Sequence, residues 1–513
     1  VAGLDVFDPS RSMAVSSRFR RGEEEFSVIS LQHIDEVIAA GPYSDDWSSL
    51  AGMQIPDWFR DAKFGIFTHW GLYTVPEYSN EWYSRNMYIK GYPAYEHHIK
   101  TYGKQKDFGY KDFIKLFTAP HFDPDEWLDR FVDAGAKYYF PVAEHHDGFQ
   151  MYSSELSRFN AVQMGPKRDI IGELRKATLQ RGLHFAASNH RAEHWWFMGH
   201  GREFDSDITG DLKRGDFYWP AMPEPDNQDI YSTPAPTQEF LEDWMLRVCE
   251  FIDNYRPELL YFDWWVQHVS FKPYIRKVAA YYYNRGVEWG MKTAICYKED
   301  GMAWGTGLFD VERGSAANPK WYPWQTDSSV ARNSWCYTDS LDYKPVSEIL
   351  VGLIDAVSKN GNMLLNVGPR ADGSIAPHDA EILAVIGRWM RRYGEGIYGT
   401  RPWKAAGEGP TASVEGGFAD LDASVWTSHD FRFTAKNGDV YAFQLAPKAG
   451  EEVVIKGFAE FEEKDRPLFH GQVKRVELLG QGGVPFTIDQ AGMHLPPADP
   501  VDDLPVGYKI VIE

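Results

Sequence analysis

Apolar residues along this chain come in short, dense runs separated by amphipathic stretches, and that texture dominates from about Trp58 to Tyr393. Residues 63–70, 136–145, 183–188, 259–263, 292–297 and 362–367 read as strands. Several are almost continuously apolar, as parallel strands buried on both faces are. Helical periodicity fills intervals at 124–134, 171–180, 237–255 and 347–359. A repeated strand–helix order over so long a stretch predicts a parallel α/β fold, a (β/α)-barrel spanning residues 46–404. A doubly wound open sheet competes with it, but no Gly-rich phosphate fingerprint follows the first strand. After Tyr393 the texture changes. Residues 407–417 are glycine-rich, and alternating runs follow at 440–445, 452–455, 473–479 and 508–512, with Asn437-Gly438 as a hairpin turn. Residues 405–513 are therefore expected to form a C-terminal β-sandwich. Residues 1–45 are polar and mixed in charge and read as an N-terminal arm with a short helix at 31–40.

Composition narrows the function classes. The 74 acidic residues outnumber the 53 basic ones for a net charge of −21, which disfavours nucleic acid and anionic membrane surfaces as partners. No apolar run is long enough to span a bilayer, and no leader-like segment opens the chain. Three cysteines without metal-type spacing give no disulfide framework. Aromatic residues make up 15% of the chain, 19 of them Trp, which raises the expectation of a carbohydrate ligand because aromatic faces stack on the C–H face of a sugar ring.

A barrel enzyme carries its reactive groups just past the C-terminal ends of the strands. Here those ends are polar: His69-Trp70, Glu144-His145-His146-Asp147, Asn189-His190, Asp263 between aromatics, Lys298-Glu299-Asp300, and a sixth segment with Asp310 and Glu312. Asp263 follows four apolar residues and precedes two tryptophans, a partly desolvated setting in which a carboxylate can attack an anomeric carbon. A buried Asp that caps a helix or pairs with an Arg would look the same. His190 and His194 stand at i and i+4, so with a third ligand they could hold zinc, but theirs is not the order of zinc peptidases. Hydrogen bonding to sugar hydroxyls is the simpler use of these histidines.

Five segments in order, KFGIFTHWGLYTVPEY…EWY, EHHDGFQMY, LLYFDWW, NMLLNVGPRADG and EGIYGTRPW, resemble the α-L-fucosidases of glycoside hydrolase family 29. The resemblance implies a (β/α)8-type barrel with a C-terminal β-sandwich and a retaining, exo-acting release of terminal L-fucose without metal or cofactor. It implies Asp263 as nucleophile. It places His69, His145, His146, Glu81 and Trp82 around the fucose; Trp264, from its position beside Asp263, and Lys298, from its strand end, are further substrate-binding candidates. Glu312 resembles the acid/base of other members. Gln325, where some members align a Trp-Glu pair, cannot donate a proton as an acid, and Glu299, Asp300 and Asp310 are the fallbacks. The expected partner is a fucosylated glycan or oligosaccharide, which favours a secreted or periplasmic setting; oligomeric state is not indicated. The alternatives are a glycosidase for a fucose-like sugar (an α-L-galactoside or β-D-arabinoside) and a non-catalytic sugar-binding protein. The chain departs from the family in Phe262-Asp263-Trp264, where members often have Trp before or Gly after the nucleophile. The third strand end resembles only one branch, so no role carries over to His190 or His194, and 201–229 is an unmatched insertion.

Overall fold

The computed structural model describes residues 29–421, 424–460, 469–498 and 500–513, plus Arg20–Arg21 and Glu24–Glu25, which pair as a short antiparallel ribbon. Of the expected N-terminal arm, residues 1–19, 22–23 and 26–28 lie outside the described residues. The expected short helix is present as α1 (Leu31–Ala40), capped by the Ser30 hydroxyl accepting from the His33 N–H.

Eight parallel strands close into a barrel: β1 (Phe64–Thr68), β2 (Tyr138–Glu144), β3 (His184–Asn189), β4 (Leu259–Phe262), β5 (Ala294–Lys298), β6 (Leu308–Glu312), β7 (Trp324–Ser329) and β8 (Gly361–Val367). Closure is made by β8 against β1, with Met363 beside Phe64 and Val367 beside Thr68. The two-residue period of a strand explains how one barrel can be a core at one end and a polar site at the other. Phe67, Tyr138, Phe140, Val142, Ala186, Leu259, Tyr261, Ala294, Cys296, Leu308 and Leu364 form one buried cluster. Two residues further along the same faces stand His69, Ser188 then His190, Asp263, Lys298, Asp310 then Glu312, and Asn366. In β2 a register shift between Val142 and Glu144 breaks that parity. Glu144 consequently turns to Arg191 and Arg247, and His145 reaches the cavity in its place.

Helices α2 (Pro124–Asp133), α3 (Ile170–Gln180), α4 (Gln238–Tyr255), α5 (Lys272–Trp289) and α6 (Val346–Ser358) each join one strand to the next, and α7 (Pro377–Tyr393) follows β8. The (β/α)8 order has two departures: β5 to β6 and β6 to β7 are joined by loops, 299–307 and 313–323, with no helix in either. Among the elements not evident from apolar patterning, two bear on the barrel. Strand β7 reads WQTDSS because Gln325 and Asp327 bond inward to Asp310 and Tyr261. Helix α5 contains Tyr281, Tyr282 and Tyr283, a strand-like triplet held helical by hydroxyl bonds to Asp253, Pro257 and Thr306.

The C-terminal region is built from two antiparallel sheets. Strands β9 (Arg401–Glu408), β10 (Phe431–Lys436), β11 (Asp439–Gln444), β13 (Val473–Leu478), β14 (Gly482–Val484) and β17 (Val506–Ile512) form one, in the order β9-β10-β11-β17-β13-β14. Strands β12 (Val453–Ile455), β15 (Thr487–Ile488) and β16 (Met493–Leu495) form the other. Asn437 and Gly438 carry positive φ angles of 53° and 90° at the β10–β11 hairpin, as the sequence predicts. Strand β9 begins at Arg401, so it straddles the expected boundary between residues 404 and 405. The three cysteines are separate buried thiols.

Barrel and sheets are locked by Asp355 of α6, which accepts from Arg432 Nε at 2.6 Å, Lys359 Nζ at 2.7 Å, Ser315 Oγ at 2.7 Å and Ser413 Oγ at 2.8 Å. Burial works against its charge, but Lys359 and Arg432 hold its carboxyl below the ordinary range. Asp355→Ala would leave both cations buried without their counter-charge. It is expected to cost about 3–5 kcal/mol and to lower the midpoint of thermal unfolding, measured by calorimetry.

Candidate active site

The strand ends open into a cavity of about 930 Å³ whose lining includes His69, Glu81, Trp82, His145, His146, Asp263, Trp264, Lys298 and Glu312. All nine residues anticipated from the sequence are therefore brought together. Of the fallback carboxylates, Glu299 and Asp310 also face the cavity and Asp300 does not line it. Asp310 lies deeper, 1% exposed, and accepts from the Gln325 amide at 2.8 Å.

The centre of the site is a cation shared by two acids. Lys298 Nζ lies 3.1 Å from Asp263 Oδ1 and 2.5 Å from Glu312 Oε2, with Asp327 Oδ2 at 3.8 Å. The two carboxylates are in different electrostatic states. Burial would raise the pKa of Asp263, but Lys298, the hydrogen bond from His190 and nearby His146 hold it well below the usual carboxylate range. Burial pushes Glu312 up to about 7; Lys298 opposes this, while repulsion from Asp263 and Asp327 adds to it. Lys298 itself stays charged: burial disfavours its ammonium, yet Asp263, Glu312, Asp327 and Asp310 raise its pKa well above the lysine norm. One acid is thus held ionised and its neighbour protonated near neutrality, the division of roles that acid–nucleophile chemistry requires.

Asp263 is oriented from three sides. The Trp264 N–H donates to Oδ1 at 2.9 Å, His190 Nδ1 reaches Oδ2 at 3.1 Å, and His146 Nε2 lies 3.6 Å from Oδ2. His146 also has Glu193 Oε2 3.2 Å from its Nδ1. Burial disfavours the imidazolium, but Glu193 and Asp263 outweigh it and lift His146 to about 9. His69, His145 and His190 go the other way, lowered chiefly by burial, so they present neutral rings. Glu81 accepts from the Trp335 N–H at 2.9 Å, and burial raises its pKa.

Among the described residues, two sets of ligand atoms lie within 4.8 Å of one another, His69–His145–His190 and His146–His190–Asp263. Both need His190, whose ring nitrogens are already engaged, Nδ1 by Asp263 and Nε2 by Ser188 Oγ at 2.9 Å. His69 Nδ1 is taken by Asn366 Oδ1 at 2.7 Å, and His194 Nδ1 by the His146 carbonyl. A metal at either set would have to displace one of the two His190 contacts, whereas sugar hydroxyls can meet the remaining ring nitrogens as they stand.

Sequence reasoning gave His190 no role, although its place at a strand end marked it; the structure sets it against Asp263. Asp327 and Tyr261, linked at 2.7 Å, were hidden by the polar texture of β7 and by an apparently apolar β4. Trp335, 5.1 Å from the His69 ring, comes from a loop with no local signal. The 201–229 insertion packs on the barrel rather than standing apart. Arg214 donates to buried Asp243 at 3.0 Å, Glu224 pairs with Arg85 at 2.6 Å, and Gln228 reaches the cavity.

The sequence model of the family described as alpha-L-fucosidase matches residues 30–395. The tissue alpha-L-fucosidase of Homo sapiens is 30% identical over 412 residues, 79% of this chain and 78% of its own. The crystal structure of Thermotoga maritima alpha-fucosidase superposes with a TM-score of 0.71 at 29% identity, over 91% of this chain and all of that one. The same enzyme in complex with a mechanism-based inhibitor superposes with a TM-score of 0.69 at 29% identity, with the same 91% of this chain covered.

The Glu193–His146 contact generates a direct test. Glu193→Gln removes the largest influence that offsets the burial of His146, so the His146 pKa should fall from about 9. A ring-carbon NMR titration of labelled histidine checks this; an unmoved His146 would assign its charge to another partner.

Proposed function

The chain belongs to the α-L-fucosidase family and is a glycoside hydrolase, and we propose that it releases terminal L-fucose by an exo-acting, retaining mechanism with Asp263 as nucleophile and Glu312 as acid/base. The observation that carries this reading is the single Lys298 nitrogen touched by both acids, at 3.1 and 2.5 Å. The two contacting oxygens cannot be farther apart than those contacts laid end to end. That supports the short separation, about 5–5.5 Å, of a retaining pair over the ~6.5–9.5 Å that an inverting pair needs to seat water.

In the first step the Asp263 carboxylate attacks the anomeric carbon while the protonated Glu312 gives its proton to the glycosidic oxygen. The C–O bond to the aglycone breaks, and the bond to Asp263 forms. In the second step Glu312, now a carboxylate, takes a proton from water as that water attacks the anomeric carbon, freeing Asp263 and returning fucose with its original configuration. Lys298 limits the energetic cost of each change of charge by remaining within reach of both acids. The neutral rings of His69 and His145, the charged His146, and Glu81 with Trp82 are assigned to the sugar's hydroxyls and ring face. With both carboxylates in place, turnover is supported over a passive sugar-binding role.

Labelling tests the assignment. A 2-fluoro-fucosyl inhibitor is expected to modify the peptide that carries Asp263, and Asp263→Asn should fold normally and lose at least about a thousandfold in kcat, since an amide is no nucleophile. Modification of a different carboxylate would overturn the role.

The pH dependence follows from the two shifts. The productive free enzyme has Asp263 ionised and Glu312 protonated, so kcat/KM should fall as pH rises through about 7, where Glu312 loses its proton. On the acid side Asp263 resists protonation, and activity should persist below pH ~4, the ordinary carboxylate pKa. A kcat/KM profile on an aryl fucoside between these limits measures both; an alkaline limb that stays flat well above neutrality would remove Glu312 from the acid role.

A further inference from the structure

Among the described residues, Trp304 at 54% and Trp321 at 84% exposure are the exposed tryptophans, and Phe418 at 52% is the exposed phenylalanine. All three belong to the same corner of the molecule. Trp304 comes from the loop between β5 and β6, Trp321 and Tyr322 from the loop between β6 and β7, and Phe418 from the segment between β9 and β10. Trp304 meets Tyr322 edge-on at 4.7 Å, and Trp321 meets Tyr322 edge-on at 5.3 Å. Trp304, Tyr322 and Phe418 line the same cavity as Asp263 and Glu312. The two barrel loops are those that stand where helices would otherwise be.

The construction is deliberate in its backbone. Ser315 and Gly416 exchange backbone hydrogen bonds, at 3.3 and 3.0 Å, which fastens the C-terminal segment across the top of β6. A Cβ on Gly314 would stand 2.4 Å from the Gly416 carbonyl oxygen, so the approach requires glycine. The Phe418 N–H then donates to the carbonyl of Glu312 itself at 2.8 Å. Phe418 has φ of +58°, a left-handed conformation that an aromatic residue adopts only at a cost of about 1–2 kcal/mol. The ring is thus held, against local preference, one hydrogen bond from the acid/base.

Resting on the fucosidase reading above, with a fucosylated oligosaccharide as substrate, we propose that Trp304, Tyr322 and Phe418 form the subsite that seats the leaving sugar. A general acid stands beside the oxygen it protonates, so the departing group lies on the Glu312 side of the fucose. What that side offers is a set of ring surfaces with a polar rim: Lys320 and Glu415, paired at 2.8 Å, together with Glu299 and Gln228. A pyranose has that same composition, an apolar C–H face bounded by hydroxyls. A purely apolar aglycone would leave the rim unused, and a small alcohol would leave the rings bare to water.

The test compares substrates that differ only in the leaving group. α-L-Fucosyl fluoride has no aglycone and needs no ring to hold it; an α-L-fucosyl galactose disaccharide has one sugar there. Trp304→Ala and Phe418→Ala, both at exposed positions, are expected to lower kcat/KM on the disaccharide by roughly 10- to 200-fold. Both should leave the fluoride within about twofold of wild type, and Trp304→Tyr should recover part of the loss. Equal losses on the two substrates, or an unchanged disaccharide rate, would overturn the subsite while leaving the hydrolase intact. Wild type that turns over neither substrate would instead overturn the fucosidase reading and the subsite with it.

Discussion

Two buried carboxylates a few ångströms apart repel each other, and a barrel mouth gives them little solvent to relieve it; here the Lys298 ammonium between Asp263 and Glu312 makes the arrangement tenable. The cation does not serve the two equally. Asp263 also takes a hydrogen bond from His190, another from the Trp264 N–H, and the field of a charged His146, so the negative charge settles there. Glu312 has Lys298 but also the repulsion of Asp263 and Asp327, so it holds a proton near neutrality. Asymmetry of environment, rather than any difference between Asp and Glu as chemical groups, makes one acid the nucleophile and the other the donor.

The barrel supplies that asymmetry through strand parity. An inward-facing position low on a strand holds Phe67, Ala186, Tyr261, Cys296 or Leu308, and the next inward positions above carry the polar groups. A core that excludes water thus ends directly beneath the site, which is why burial weighs so heavily on every group in it. The His146–Glu193 pair belongs to the same economy of charge. An imidazolium next to Asp263 is possible because a fully buried carboxylate faces its other nitrogen. Glu144, Asp243, Arg191 and Arg247 form a further buried ionic group behind the strand ends that carry His145 and His190.

Much of this was legible in the sequence. Strands whose sides are both buried announce themselves as apolar runs, and the polar residues at their ends named Asp263, Glu312 and the histidines of the pocket. What escaped has physical causes. Strand β7 is lined inward by Gln325 and Asp327, so no apolar period betrays it, and Asp327 was lost with it. The bulge in β2 decides that His145 rather than Glu144 faces the cavity, and one extra residue in a register leaves no mark in composition. Trp335 and Phe418 arrive from loops placed by long-range contacts, the latter from beyond the barrel altogether. The tyrosine triplet of α5 shows the reverse case, where tertiary hydrogen bonds override a local preference for strand.

The division of labour between Asp263 and Glu312 is tested most directly by removing the acid and offering a substitute nucleophile. Glu312→Ala, assayed on an aryl fucoside with a good leaving group and on a fucosyl disaccharide, should lose far more on the disaccharide, whose departure depends on protonation. Added azide should then accelerate turnover of the aryl fucoside and yield a fucosyl azide of retained configuration, because azide enters the space vacated by Glu312 and attacks the fucosyl-Asp263 intermediate. A variant that cleaves both substrates nearly as well as wild type, or an azide product of inverted configuration, would contradict the account.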